Sequence, residues 1–207
     1  MSLLFIRHGE TALNAARTLQ PADTPLGERG FAQARAVASR LANAGLARIL
    51  SSDLPRALQT AQAIADASGA PLELTPLLQE RNFGDLRGRA YDELGFNPLA
   101  MDEAPPNGES VEAFRARVAQ AFAYAVRLRS ELAGPLAVVT HGLVVRAVID
   151  SHLLLGAGHA LSGPVRNTSV TICGWQPPHA VELIDCTRHL DEADEAARHD
   201  PRSLSGG

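Results

Sequence analysis

The fold of this chain is decided by one pattern that occurs twice, LLFIRHG at residues 3–9 and LAVVTHG at residues 136–142. In each copy a short, continuous apolar run leads into a histidine followed by a glycine. Such a run is typical of a buried strand in a parallel sheet. Ligands of open α/β sheets bind beyond the carboxyl ends of the strands. If the two strands are neighbours, we therefore expect His8 and His141 to face one pocket.

Helices and further strands alternate with these two runs. Residues 30–44 have helical spacing that places Phe31, Ala34 and Val37 on one apolar face. Residues 46–50 predict the next strand, and the polar residues 51–53 can cap the helix after it. The other predicted elements are helices over residues 54–68, 110–132 and 143–155 and strands over residues 169–173 and 180–183. The alternation predicts an α/β domain with a largely parallel sheet.

The stretch from residue 84 to residue 108 lacks clear periodicity and contains three prolines. We interpret it as a surface excursion of the same domain and leave open whether it acts as a lid. We expect one domain over residues 1–190. Residues 191–207 are charged, end in SLSGG and predict a frayed or disordered tail.

The composition predicts a globular cytoplasmic protein, since the 207 residues are 45% hydrophobic and can bury a sizeable core. The formal net charge of -4 argues against a nucleic-acid partner. No run approaches the roughly 20 apolar residues of a membrane span, and the first apolar run is too short for a signal peptide. Cys173 and Cys186 have no disulfide framework around them, so we expect free thiols.

His8 is the candidate nucleophile. A histidine is largely neutral near pH 7, and a neutral ring nitrogen can attack phosphorus. Phosphoryl transfer also needs cationic donors around the phosphate oxygens, and the guanidinium group of Arg7 can supply one of them. The alternative is a strand-end Arg-His pair that binds only backbone carbonyls.

Arg56 and Glu80 are the candidate phosphate clamp and proton donor. Arg56 follows SSDLP in the first turn of a predicted helix, where the helix dipole disfavours a cation unless an anion is bound. The alternative is a surface pair of Arg56 with Asp53. If Glu80 is buried near a phosphate, its pKa should rise, so that it can protonate a leaving oxygen. The alternative interpretation is that Glu80 forms a salt bridge with Arg81 or Arg87.

Taken together, the motifs resemble the histidine phosphatase superfamily, the phosphoglycerate mutase-like group. They are RHGET at residues 7–11, SSDLPRALQTA at residues 51–61, Glu80 with FG at residues 83–84, GES at residues 108–110, and HG at residues 141–142 with Arg146. The combination covers residues 3 to about 172 and is highly specific. The resemblance implies a three-layer α/β/α sandwich with a mostly parallel, mixed central sheet, and no metal or other cofactor.

The resemblance also implies roles for individual residues. His8 would be the phosphorylated nucleophile and Glu80 the proton donor. The remaining members of the implied site hold the phosphoryl group or line the pocket, and they are Arg7, Arg56, His141, Asn14 and, on a weaker motif match, Asn167. The chain departs from the family at Gly27, where threonine is frequent, and at Arg87, where glutamate is frequent. Both departures bear on the substrate, and Arg87 is a candidate for a further anion contact.

The main hypothesis is a phosphatase that hydrolyses small phosphorylated metabolites. A phosphoglycerate mutase is the first rival. Mutases of this group carry a longer, basic insertion between the acid glutamate and the GES motif, whereas here that interval is short and rich in Asp, Glu and Pro. A second rival is a metal-dependent hydrolase built from His8, His141, Asp53 and Glu80, although the other histidines lack zinc-site spacings. A catalytically weak phosphate-binding module is the third. We expect no membrane partner, and a homodimer is left open.

Overall fold

The computed structural model describes residues 2–191. Strands and helices alternate over most of this range, as the apolar runs predict. The strands are β1 (Ser2–Arg7), β2 (Arg48–Ser52), β3 (Leu72–Thr75), β4 (Leu136–Thr140), β5 (Val170–Gly174) and β6 (Val181–Cys186). The helices are α1 (Ala12–Ala15), α2 (Glu28–Leu41), α3 (Pro55–Ser68), α4 (Val111–Ser130) and α5 (Gly142–His152).

Within residues 2–191 the strands form one sheet in the order β3-β2-β4-β1-β5-β6. The first four strands of this order run parallel, β5 lies antiparallel to β1, and β6 lies antiparallel to β5. The two strands that carry the repeated pattern are neighbours, with Arg7 opposite Thr140. The predicted mixed, mostly parallel sheet is confirmed.

Helices cover both faces of the sheet. α2 and α3 pack on the face that holds Ile6, Ile49 and Val139. α4 and α5 pack on the other face, against Phe5 and Val138. Successive side chains of a strand point to opposite faces, so burial on both sides requires the continuous apolar runs seen in the sequence. The α/β/α sandwich is confirmed.

The start of α2 corrects the predicted helix over residues 30–44. The helix begins at Glu28, and Phe31 is 41% exposed instead of lying in the core. The first two turns of α2 pack on the polar loop after β1, where Gln33 accepts a hydrogen bond from the Glu10 amide. Only from Ala34 onward does the helix lie on the apolar sheet.

Other boundaries also differ from the prediction. Ser51 and Ser52 belong to β2, and the residue that precedes α3 is Leu54, which makes no side-chain cap. The predicted helix over residues 143–155 ends at His152. The pattern missed β3 and the short α1 because each element has only four residues.

Cys173 and Cys186 are both free, as expected. No helix within residues 2–191 is long and apolar enough to cross a membrane. Except for Asp191, the predicted tail over residues 191–207 lies outside the described residues.

Two glycines let the loop after β1 lie directly on α2. A Cβ atom added at Gly30 would lie 2.0 Å from the Glu10 carbonyl oxygen, and one added at Gly9 would lie 2.5 Å from the Gly30 oxygen. Both contacts are backbone to backbone, so no side chain can move aside. The glycines therefore fix how closely the loop that carries His8 approaches α2.

We predict that Gly30→Ala lowers the free energy of unfolding by about 1–3 kcal/mol, because the added methyl group forces the loop and the helix apart. Urea denaturation measures the change. Gly174→Ala is the matched control, since a Cβ there meets no atom closer than 3.9 Å. Equal stability of the two variants would contradict the close approach.

Candidate active site

The pairing of β1 with β4 brings His8 and His141 together. The His8 amide donates to the Thr140 carbonyl over 2.9 Å, which continues the strand pairing by one residue. The two ring centroids are 5.1 Å apart, and the ring planes meet at 61°. Both side chains are buried. The neighbouring strands therefore bring the two histidines together, although only His8 faces the cavity described below.

A hydrogen bond to the backbone sets the tautomer of His8. Its Nδ1 lies 2.7 Å from the Gly9 carbonyl oxygen. A carbonyl oxygen can only accept, so Nδ1 carries the proton and the lone pair is on Nε2. Burial lowers the pKa of His8 well below its usual value, and the charges of Arg7 and Arg56 lower this pKa further. His8 is therefore neutral near pH 7, with Nε2 free to act as a nucleophile.

Two arginines, the buried Arg56 and the partly buried Arg7, flank this imidazole. Arg7 donates to the Val165 carbonyl, and its guanidinium lies against Gly142, where a Cβ would come within 3.4 Å of Nε. Arg56 is 2% exposed and donates to the Pro21 carbonyl over 3.3 Å. Burial lowers the pKa of Arg56 to about 10, so it remains a cation at neutral pH. Asp53 instead accepts hydrogen bonds from Gln79, so the alternative pairing of Arg56 with Asp53 is wrong.

Within residues 2–191, no partner is found for Nε of Arg7 or Nε of Arg56. Each group is a buried donor, and leaving a buried donor without an acceptor costs about 1–3 kcal/mol. An oxyanion between the two guanidinium groups could accept from both of them. The arrangement suits a phosphate group.

Glu80 reaches the same cavity from the turn after β3. Its carboxylate accepts from the Arg81 amide over 3.0 Å and from the Leu143 amide, in the first turn of α5, over 3.1 Å. Burial raises the pKa of Glu80, while the two amides, Arg56 and Arg7 oppose the rise. Among the described residues no salt bridge joins Glu80 to Arg81 or Arg87, contrary to the alternative interpretation.

Asn14 and Asn167 meet on the other side of His8. Asn167 donates to the His8 carbonyl over 3.0 Å and to the Asn14 side chain over 3.4 Å. Asn14 also closes the N-terminal cap of α1 together with Thr11. The two amides therefore fix the chain at His8 and just after it, as well as lining the cavity.

Two residues that the sequence analysis did not select hold the site together. Ser52, the last residue of β2, lies 2.9 Å from Nε2 of His141 through its hydroxyl. Thr60 lies one helical turn after Arg56. Its hydroxyl donates to the Arg56 carbonyl over 2.8 Å and accepts from the Gly9 amide over 3.1 Å. Both are within the SSDLPRALQTA stretch, but each also contacts a distant segment, through His141 and Gly9 respectively.

Burial also lowers the pKa of His141 well below its usual value, with His8 and Arg56 acting in the same direction. The Leu54 amide donates to the Ser52 hydroxyl over 3.3 Å, which leaves the hydroxyl proton of Ser52 for Nε2 of His141. This pattern favours the neutral ring with its proton on Nδ1. His141 can therefore act as a hydrogen-bond donor near His8.

These residues surround one open cavity of about 870 Å³. Its inner end is formed by His8, Arg7, Arg56 and Glu80, whereas His141 lies beside His8 and is not part of the cavity wall. Its outer wall comes from α1 and from the stretch over residues 84–108. Within residues 2–191, no three His, Cys, Asp or Glu side chains form a group that could hold a metal ion. The remaining lining residues include Asn14, Arg17, Leu19, Arg87, Tyr91, Phe96, Leu99, Arg146 and Asn167.

A family model described as the histidine phosphatase superfamily, branch 1, matches residues 3–184. The probable phosphoglycerate mutase GpmB of Enterobacter sp. (strain 638) is 34% identical over 207 residues, covering 92% of this chain and 95% of that protein. Two solved structures are also similar. A phosphoglycerate mutase from Bacillus anthracis str. Sterne has a TM-score of 0.80 and 26% identity, with 94% of this chain and 96% of that chain covered. A mycobacterial glucosyl-3-phosphoglycerate phosphatase has a TM-score of 0.72 and 30% identity, with coverages of 84% and 90%.

We predict that the His8 ring remains neutral at pH 6, with its proton on Nδ1. A histidine of ordinary pKa would be about three quarters protonated at that pH. Because the pKa of His8 is lowered in the folded protein, it should gain a proton only on further acidification. Nitrogen-15 NMR of the histidine rings, with His8→Gln to assign the signal, measures both properties. A protonated His8 ring at pH 6 would contradict the site described here.

Proposed function

This chain belongs to the histidine phosphatase superfamily, and from that premise we propose that it hydrolyses phosphomonoesters of small metabolites through a phosphohistidine on His8. The observation that carries the proposal is the hydrogen bond from Nδ1 of His8 to the Gly9 carbonyl. It leaves the lone pair on Nε2, between two arginines that can hold the phosphate.

In the first step, Arg7 and Arg56 hold the oxygens of the phosphate group while Nε2 of His8 attacks the phosphorus atom. The N–P bond forms as the bond from phosphorus to the alcohol oxygen breaks. The acid form of Glu80, which burial favours by raising its pKa, gives its proton to the departing oxygen. The products of this step are the free alcohol, phosphohistidine and the Glu80 carboxylate.

In the second step, the Glu80 carboxylate takes a proton from a water molecule whose oxygen attacks the phosphorus atom. The N–P bond breaks, and its electron pair returns to Nε2 of His8. Inorganic phosphate leaves, and both side chains recover their starting protonation states. The two arginines donate to the phosphoryl oxygens, where negative charge is greatest, and His141 supports the site from its buried position beside His8.

The access of water favours hydrolysis over the mutase alternative. A mutase must return the phosphoryl group to the bound product before water reaches the phosphoenzyme. The outer wall of this cavity is open to solvent, with Phe96 47% and Leu99 43% exposed. The similar mycobacterial protein is a phosphatase by name, whereas the Enterobacter and Bacillus proteins are named as mutases, so the proposal needs a product assay.

We predict that 3-phosphoglycerate, if it is consumed, yields glycerate and inorganic phosphate, and that an acid-labile phosphate on His8 forms during turnover of phosphomonoesters. Phosphorus-31 NMR of the products and rapid-quench labelling measure the two results. Formation of 2-phosphoglycerate without free phosphate would identify a mutase instead.

His8→Ala should abolish the labelling and lower kcat by about three orders of magnitude or more, since the nucleophile is lost. His159→Ala, which changes a histidine outside the cavity wall, is the matched control and should keep its activity. A protein that turns over no phosphomonoester would favour the phosphate-binding module.

We predict that Glu80→Gln lowers kcat for alkyl phosphates by about 10²–10⁴-fold but has much less effect on p-nitrophenyl phosphate. An alkoxide needs protonation as it leaves, whereas p-nitrophenolate does not. Steady-state kinetics with both substrates measure the difference. Equal losses on the two substrates would show that Glu80 is not the proton donor of the first step.

A further inference from the structure

Two large apolar side chains in the outer wall of the cavity are exposed to solvent. Phe96 is 47% and Leu99 43% exposed, and both line the cavity that contains His8. They come from the stretch over residues 84–108, which has no catalytic role in the proposed reaction. An exposed apolar surface next to a binding cleft indicates a ligand that covers it.

The wall is held in place by backbone hydrogen bonds. The Leu19 amide donates to the Arg89 carbonyl over 3.0 Å, and the Tyr91 amide donates to the Arg17 carbonyl over 2.9 Å. The turn that carries Leu99 is closed by the Asn97 side chain, which accepts from the Leu99 amide over 3.0 Å. The segment that carries the apolar surface is therefore anchored to the rest of the domain.

The size and lining of the cavity exceed what a small polar substrate needs. A volume of about 870 Å³ falls near the upper end of the usual range for small-molecule sites, about 300–1,000 Å³. A phosphorylated three-carbon acid would fill only the inner end. Beyond that end the wall includes the apolar side chains of Leu13, Tyr91, Phe96 and Leu99 beside the charged Arg17 and Arg87, and Phe96 and Leu99 are its exposed large apolar residues.

We propose that the substrate is a phosphomonoester whose alcohol carries a bulky apolar group, of the size of an aromatic ring or larger, which packs on Phe96 and Leu99. These two residues then determine substrate specificity. The inference rests on the proposed phosphatase function, because it places the phosphate at His8. It excludes small polar esters as the preferred substrates.

The test compares three esters of primary alcohols, ethyl, 2-phenylethyl and 2-(1-naphthyl)ethyl phosphate. Their leaving oxygens are chemically alike, so differences in kcat/KM report on contacts with the alcohol. We expect kcat/KM to rise by about tenfold or more from the ethyl to the naphthylethyl ester, because burial of an aromatic group adds binding in the transition state. Equal values for the three esters would overturn the proposal.

Alanine variants of Phe96 and Leu99 test whether the preference for bulky esters comes from the outer wall. Phe96→Ala and Leu99→Ala should each lower kcat/KM for the naphthylethyl ester by about five- to tenfold and change that for the ethyl ester by less than about twofold. The matched controls are Phe31→Ala and Leu74→Ala, at residues that are 41% and 46% exposed and lie outside the cavity wall. Equal effects of wall and control variants would overturn the assignment of Phe96 and Leu99.

The outcomes separate this inference from the proposed function. Turnover of all three esters at similar rates, with phosphohistidine formed, would leave the phosphatase standing and reject the apolar subsite. No turnover of any ester, and no phosphohistidine, would reject both.

Discussion

The parallel pairing of β1 with β4 places His8, the proposed nucleophile, beside His141. The strands are in register through Arg7 and Thr140, so the next residues of both, His8 and His141, emerge side by side at one edge of the sheet. Both strands are covered by helices on their two faces and have little freedom to slide. A shift by one residue would turn each apolar side chain to the opposite face, and the histidines would separate.

The charges around this pair fit a doubly charged anion. Arg7 and Arg56 contribute two positive charges, and the buried histidines are neutral because their pKa values are lowered. Burial raises the pKa of Glu80, while two backbone amides and the two arginines oppose the rise. The two positive charges of the arginines can balance those of a phosphate dianion. A dianion there would also raise the pKa of Glu80 further, which favours the protonated form before the leaving oxygen departs.

In the proposed reaction, chemistry and specificity come from different parts of the chain. The groups proposed to act on phosphorus are held by strand ends, by the first turn of α3 and by the turn after β3. The groups that would meet the alcohol come largely from residues 84–108 and from the neighbourhood of α1. A protein named as a phosphoglycerate mutase and one named as a phosphatase share the fold with this chain. A shared phosphate-binding end of the cavity, combined with an outer wall that varies, is a physical basis for different activities on one fold.

The sequence by itself determined the α/β class, the two histidines at strand ends and the arginine at the start of α3. These features follow from local apolar periodicity and from residue types at the ends of elements. The tertiary structure alone decided the tautomer of His8, the contact of Ser52 with His141 and the link from Thr60 to Gly9. It also decided that Phe31 faces solvent, because the start of α2 lies on a polar loop and not on the sheet. The sequence could not predict these contacts, because they join side chains to partners on other elements or depend on the direction in which a carbonyl group points. Apolar periodicity along one segment carries neither kind of information.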